Sequence, residues 1–315
     1  MSKKGVIGVL SAILIAIAAF GIYRYFHPTP LGLLRQMIRN LGRVESFKAD
    51  MTTNLDGTVS IGGIEAELGL NSDIGMESAL KEGISHQKGT LKVSAIGLSV
   101  DAPIESYTQS EGTKTTTYSS TNGGKWVKSV VDSASTSETT GEQGQQEEQQ
   151  NADIDVDSKA VIGLFQKIMS GEVKAELAKE TETICGKEAF RMDITIAGDV
   201  LQDILKIIIQ AMGEKAQIPD DLDLTNTTTV LVLHIYKDSR LPASLRIDCT
   251  ELGNALIRSF LKTDGIEGRA DRFTFEIVVP EYNTVDSIRI PEEVISGAVD
   301  SEQANILDLL IPGMQ

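Results

Sequence analysis

Nineteen consecutive uncharged residues, GVIGVLSAILIAIAAFGIY at positions 5–23, constrain this chain more than any other feature. As a helix rising about 1.5 Å per residue they would reach nearly across a hydrocarbon core of roughly 30 Å. Lys3 and Lys4 precede the run and predict a cytoplasmic N-terminus. Tyr23, Tyr25 and Phe26 follow it, as suits aromatic rings at the far interface, and Arg24 can snorkel into headgroups. Residues 1–27 are therefore expected to form a cytoplasmic tip and one transmembrane helix, with membrane contact over 5–26. The rival reading is a cleaved signal peptide, because Ala16-Ile17-Ala18 has the small-x-small form of a cleavage site. The apolar run continues past that site, which favours a retained anchor. On either reading the rest of the chain is exported, tethered outside the cell membrane or secreted after cleavage.

Charge removes one class of partner. Acidic residues number 45 against 29 basic ones, a formal charge of −16, so the chain would be repelled by nucleic acid. The chain has two cysteines, Cys185 and Cys249, and three histidines, His27, His86 and His234. A zinc site would need nearly all of them, and none stands at short ligand spacing. No metal or other cofactor is expected. In an exported domain with no other thiols, a Cys185–Cys249 disulfide is the natural hypothesis, with two buried free thiols as the alternative.

Beyond the anchor, Thr29-Pro30 opens a helical pattern with Leu34, Met37, Ile38 and Leu41 on one face, and Gly42 is placed to end it. From Ser46 the period becomes two: Phe47, Ala49 and Met51 alternate with Lys48, Asp50 and Thr52, a half-buried strand. Strand-like runs follow near 58–75, 87–95, 97–108 and 113–119. Asn122-Gly123 between residues 115–120 and 125–128 is a strong hairpin signal. Residues 132–158 carry eight acidic side chains, no basic ones and no aromatics, and are expected to be a disordered insertion. Asp153, Asp155 and Asp157 imitate a calcium loop, but Ser158 and Leu164 stand where glycine and a bidentate Glu are required.

After the insertion the pattern predicts a helix at 160–169, then strands at 173–185 and 188–197 joined through Gly186-Lys187. A helix at 200–212 follows, capped by Asp199 and stopped by Gly213. Val200, Leu201, Ile204, Leu205, Ile207, Ile208, Ile209 and Met212 leave it only a narrow polar edge, so it must be covered on several sides, as by a sheet wrapped around it. A hairpin at 226–237 and 243–251, a short helix at 254–262, a strand at 272–280 and an extended piece at 287–294 complete the pattern. One domain over 28–299 is preferred to two, because each half alone would leave open sheet edges. Residues 300–315 form a tail.

In this order, the segments LLRQMIRNLGRVESFKADM, TTTYSSTNGGKWVKS, ICGKEAFRMDI, YKDSRLPASLRID, FTFEIVV and SIRIPEEV resemble a known superfamily over about residues 33–296. That superfamily includes the LolA-type lipoprotein carriers and the mycobacterial lipoproteins LppX and LprG. Within it, the chain looks most like lipoprotein-like proteins of Gram-positive bacteria. The resemblance implies an α+β fold: a strongly curved antiparallel sheet, or half-open barrel, packed on helices around an apolar cavity able to hold acyl chains. The chain departs from the pattern in lacking a lipid-attachment cysteine and in carrying the acidic insertion.

No phosphate loop, GxSxG, HExxH or dinucleotide fingerprint occurs, and no catalytic residue is expected. The expected function is a membrane-anchored, extracytoplasmic, non-catalytic module that binds or carries lipid or another apolar ligand. The alternative is an envelope module for protein interaction or sensing, with no internal ligand. Candidate cavity-lining residues are Trp126, Leu201, Ile204, Leu205, Ile208 and Met212, with plain core packing the favoured alternative for each.

Overall fold

The computed structural model describes residues 28–132, 173–198, 200–202, 222–225, 227–260 and 266–300. The expected anchor, nearly all of the acidic insertion, the helix expected at 160–169, most of the one expected at 200–212 and all but the first residue of the tail lie outside these. Among the described residues no helix is long and apolar enough to cross a membrane.

Among the described residues, twelve strands form one open sheet. In chain order they are β1 (Ser46–Ile61), β2 (Ile64–Ala79), β3 (Ile84–Ala95), β4 (Leu98–Glu111), β5 (Lys114–Thr121), β6 (Val127–Asp132), β7 (Lys174–Ile184), β8 (Lys187–Ala197), β9 (Thr228–Tyr236), β10 (Pro242–Asp248), β11 (Ile266–Tyr282) and β12 (Val299–Asp300). The spatial order is β12-β6-β5-β4-β3-β2-β1-β11-β10-β9-β8-β7. All neighbours are antiparallel except the short β12–β6 pair. Pairing of β1 with β11 across 14 registered positions joins the two halves of the chain into one sheet. The curved sheet does not close, since β12 and β7 end it without pairing with each other.

The two-residue turns follow from the chemistry of positive φ. Gly62-Gly63 joins β1 to β2, Ile96-Gly97 joins β3 to β4, and Cys185-Gly186 joins β7 to β8, all with φ above +45°. The sequence pattern blurs β1 and β2 into one run at 58–75, because both sides of the diglycine alternate in the same way. β11 starts six residues earlier than expected, since Gly268 and Ala270 give little apolar signal.

Three helices are described: α1 (Pro30–Leu41), α2 (Thr250–Phe260) and α3 (Glu292–Gly297). Thr29 caps α1 by accepting from Gly32 N–H at 3.2 Å. The main core joins Leu33, Leu34 and Met37 of α1 to Met192, Ile194, Leu231, Leu233 and Ile235 of the sheet. Leu252 and Ala255 of α2 join the same core, as do Val200 and Leu201 at the start of a helical segment. α2 begins at residue 250 instead of 254 because the Asp248 carboxylate accepts from both Thr250 N–H (3.0 Å) and Thr250 Oγ1–H (2.6 Å). α3 and the extended stretch before it cover the opposite face near β2–β6, where Ile288 and Val294 pack with Ala79, Tyr107 and Tyr118.

Candidate functional site

Alternation along each strand divides the sheet into two faces, and register aligns the apolar residues into rows. On the helix-bearing face, Phe273, Leu55, Leu70, Val93 and Val100 stand side by side on β11, β1, β2, β3 and β4. A second row runs Ile277, Met51, Ile74, Gly89 and Ile104. Helices cover this face over β7–β11. Over β1–β4 the same face holds side chains that remain open: Leu70 is 36% exposed, Val93 42% and Val100 60%. Toward the turns the exposure rises further, to 76% at Ile64 and Leu98. Thr53 and Ser72 stand in the row between these two, yet an exposed aliphatic surface of this extent is unusual on a folded domain and makes this face a candidate binding surface. Gly89 keeps its row narrow, since a Cβ there would collide with the backbone of Asp73 and Ile74.

The opposite face carries the ion pairs. His86 bonds Glu105 at 2.9 Å and stacks on Tyr107 with ring centroids 4.4 Å apart. Burial alone would raise the Glu105 pKa, but the His86 hydrogen bond and Lys88 outweigh it and hold the carboxyl below its ordinary value. A second group joins three strands: Ser244 Oγ lies 2.8 Å from His234 Nδ1, and His234 Nε2 lies 3.1 Å from Glu182 Oε2. Hydrogen bonds from Arg191 and then His234 hold the Glu182 carboxyl below its ordinary value. Serine, histidine and carboxylate in this order are the components of a nucleophilic triad. Here the serine is only 3% exposed, in the middle of a paired strand, and a substrate carbonyl could not reach it. The geometry suits a cross-strand polar tie.

Two adjoining polar clefts lie beside α2. One, of about 560 Å³, is lined by Asp223, Thr227, Glu251, Asn254, Arg258 and Arg269. The other, of about 410 Å³, shares Asn254, Arg258 and Arg269 and adds Glu65 and Glu267. Charges of both signs meet in each. Among the described residues, no group of three or more His, Cys, Asp or Glu side chains is placed to hold a metal ion.

The sequence-derived candidates fall in different places. Leu201 is buried at 4% in the main core. Ile204, Leu205, Ile208 and Met212 lie outside the described residues. Trp126 stands apart from the apolar rows: it packs with Tyr107, at 5.8 Å between ring centroids, in the cluster on the opposite face. The disulfide expectation is corrected, because both cysteines are free. Cys185 sits in the β7–β8 turn at one end of the sheet, and Cys249 follows β10 at the other end. The register separates them by about ten residues along the strands, on the order of 30 Å, where a bridge requires Cα atoms within about 7 Å. Strand-end position was visible in the sequence, but which end was not. The exposed rows of β1–β4 were also missed as a site, although their signal, apolar alternation carried into uncharged turns, was present.

No protein-family model matches this chain, and no curated protein matches it. Solved structures that show a likeness include the following three. Lipoprotein LppX of Mycobacterium tuberculosis is 13% identical, with a TM-score of 0.38, over 82% of this chain and 97% of that one. A β-barrel-like protein of a domain of unknown function from Brucella abortus is 11% identical, with a TM-score of 0.21, over 77% and 100% of the two chains. A DUF1329 family protein from Desulfovibrio piger is 10% identical, with a TM-score of 0.19, over 80% and 92%. At these superposition scores none of them defines a ligand or an activity for this chain.

Proposed function

We propose that this chain is a non-catalytic binding module that receives an apolar ligand of acyl-chain type on the helix-bearing face of β1–β4 and β11. In this reading residues 5–26 tether it to the cell membrane, with the domain outside. The supporting observation is the pair of aliphatic rows through Leu55, Leu70, Val93 and Val100 and through Met51, Ile74 and Ile104. They are in register across neighbouring strands and have no helix over them among the described residues. Each buried methylene of a guest chain would gain about 0.8 kcal/mol, so a surface several side chains long suffices to hold a lipid tail.

Native mass spectrometry of the full chain, released from detergent, tests this. The wild type should retain an adduct of lipid mass, and the double substitution Leu70→Asp with Val93→Asp should lower its occupancy at least tenfold. Two partly exposed positions are changed, so the fold should persist, which circular dichroism checks. A bare polypeptide mass for the wild type, or equal adducts in both proteins, would end this reading.

A further inference from the structure

The tips of strands β1–β4 form two neighbouring hairpins, the first flanked by β11 and by the cleft beside α2, whose chemistry differs from the rest of the molecule. Residues 57–64 and 93–100 contain no charged side chain, in a chain where 23% of residues are charged. Each stretch is bounded at both ends by charge, Asp56 and Glu65 in the first, Lys92 and Asp101 in the second. Parity places all four of these, and Glu67, on the face opposite the aliphatic rows, where Glu65 lines the polar cleft beside α2. The helix-bearing face of this blade, residues 55–61, 64–70, 93–95 and 98–100, presents only aliphatic side chains and a glycine. Ile61, Ile64, Ile96 and Leu98 at its turns are 57%, 76%, 77% and 76% exposed.

Ile96 adds a second kind of observation. It occupies the first turn position of β3–β4 with φ +53°, a conformation that asparagine or glycine adopts readily and a β-branched residue does not. The chain uses asparagine in the same setting at Asn122, φ +56°, ahead of Gly123. An exposed isoleucine at Ile96 serves neither the turn nor solubility.

We infer that this two-hairpin blade docks, aliphatic face down, on the surface of a lipid bilayer. The separation of charge selects the occupant. Protein interfaces centre on aromatic and arginine anchors with hydrogen bonds that set the register, and this face offers neither. A bilayer asks only for an apolar face with polar groups behind it, as in helices that lie in the membrane interface. The outward face carries four acidic groups and one lysine, and a chain of net charge −16 would be repelled by an anionic surface, so the bilayer that fits is zwitterionic. The backbone on the docking side is paired: Ile61 is registered with Ile64, Ala95 with Leu98, and Ile96 N–H donates to Glu67 O at 3.2 Å. The first hairpin projects past the second, because Ala95 is opposite Leu68, so the docked blade lies along the surface instead of standing upright in it. This docking does not require a retained ligand, and it continues without a break into the rows proposed to hold one.

The full chain reconstituted in phosphatidylcholine vesicles, with a photoactivatable diazirine in the acyl chains, provides the test. Cross-links mapped by mass spectrometry should fall on residues 57–64 and 93–100, and Ile64→Asp with Ile96→Asp should lower them at least tenfold. The informative variant is Ile96→Asn, which suits the turn: it should raise the melting temperature while lowering cross-linking at residues 93–100 severalfold. Unlabelled hairpins in vesicles whose phosphatidylcholine does label other segments would overturn the inference. So would hairpins that cross-link to a second copy of the chain instead of to lipid, or labelling unchanged by Ile96→Asn. Loss of the lipid adduct in the mass experiment with hairpin labelling intact would discard the ligand reading alone.

Discussion

Ile96 and Asn122 occupy the same position in two hairpin turns, and the comparison isolates what one side chain costs. The left-handed conformation costs an L-residue with a branched Cβ about 1–2 kcal/mol, and asparagine recovers part of that through local hydrogen bonds. Ile96→Asn is therefore expected to stabilise the fold by about 1 kcal/mol in urea denaturation. A neutral or destabilising result would mean that Ile96 makes contacts which its exposure does not suggest. The cysteines make a second comparison at this scale. Cys185 is exposed in a turn, while burial, aided by the Asp248 charge, pushes the Cys249 thiol up to about 11. Unreduced protein at neutral pH should show one rapidly alkylated thiol at Cys185 and a slow one at Cys249. Recovery of a bridged peptide would contradict the separation of about ten residues between them.

At the scale of elements, α2 does more than fill a loop. β10 ends at Asp248, opposite Thr274, so the upper half of β11 has lost its strand partner on that side. Asn254 takes over: its Nδ2 donates to Ala270 O at 2.8 Å, and its Oδ1 accepts from Ala270 N–H at 2.8 Å. Thr250 Oγ1 accepts in turn from Phe273 N–H at 2.9 Å. A helix side chain thus supplies the pairing that a strand would have given. Asn254→Ala should cost about 1–3 kcal/mol, because the half-buried backbone of Ala270 is left without its partner. Equilibrium denaturation gives the size, and hydrogen exchange should place the loss at residues 268–273. A change below a few tenths of a kcal/mol would show that water replaces the asparagine without penalty. The sequence pattern started this helix four residues late, and Asp248 is the reason. Its carboxylate caps Thr250, a local bond that apolar periodicity does not register.

Across the whole molecule, strand ends are secured by one buried phenol, Tyr236, and by a half-buried phenol and thiol, Tyr282 and Cys249, and these set its alkaline limit. Tyr236 donates to Val279 O at 2.8 Å and Tyr282 to Pro242 O at 2.7 Å. Burial, with nearby Cys185, pushes Tyr236 up to about 12, and burial raises Tyr282 further. For each of these groups the folded state holds its proton more tightly than the unfolded chain. That stabilisation is complete below the ordinary thiol and phenol values, near 9 and 10, and is lost as pH climbs through the raised ones. The unfolding free energy should be level from pH 7 to 8.5 and fall steadily from pH 9 to 12, with Tyr282→Phe flattening the upper part. A profile flat to pH 12 would refute the buried state of these side chains.

Much of this architecture was legible beforehand. Period-two alternation from Phe47 onward, the Asn122-Gly123 turn and the Thr29-Pro30 helix start are local signals, carried by residues within one turn or one strand of each other, and they survive folding unchanged. The apolar run at 5–23 and the charge of −16 likewise constrain the chain before any contact is made. Tertiary structure alone decided which side chains share a face across five strands. It put Trp126 on the face away from the aliphatic rows and separated Cys185 from Cys249 along the sheet. Such placements depend on register between strands far apart in sequence. Shifting one pairing by a single residue exchanges the two faces, and no neighbouring residue reports which pairing was made.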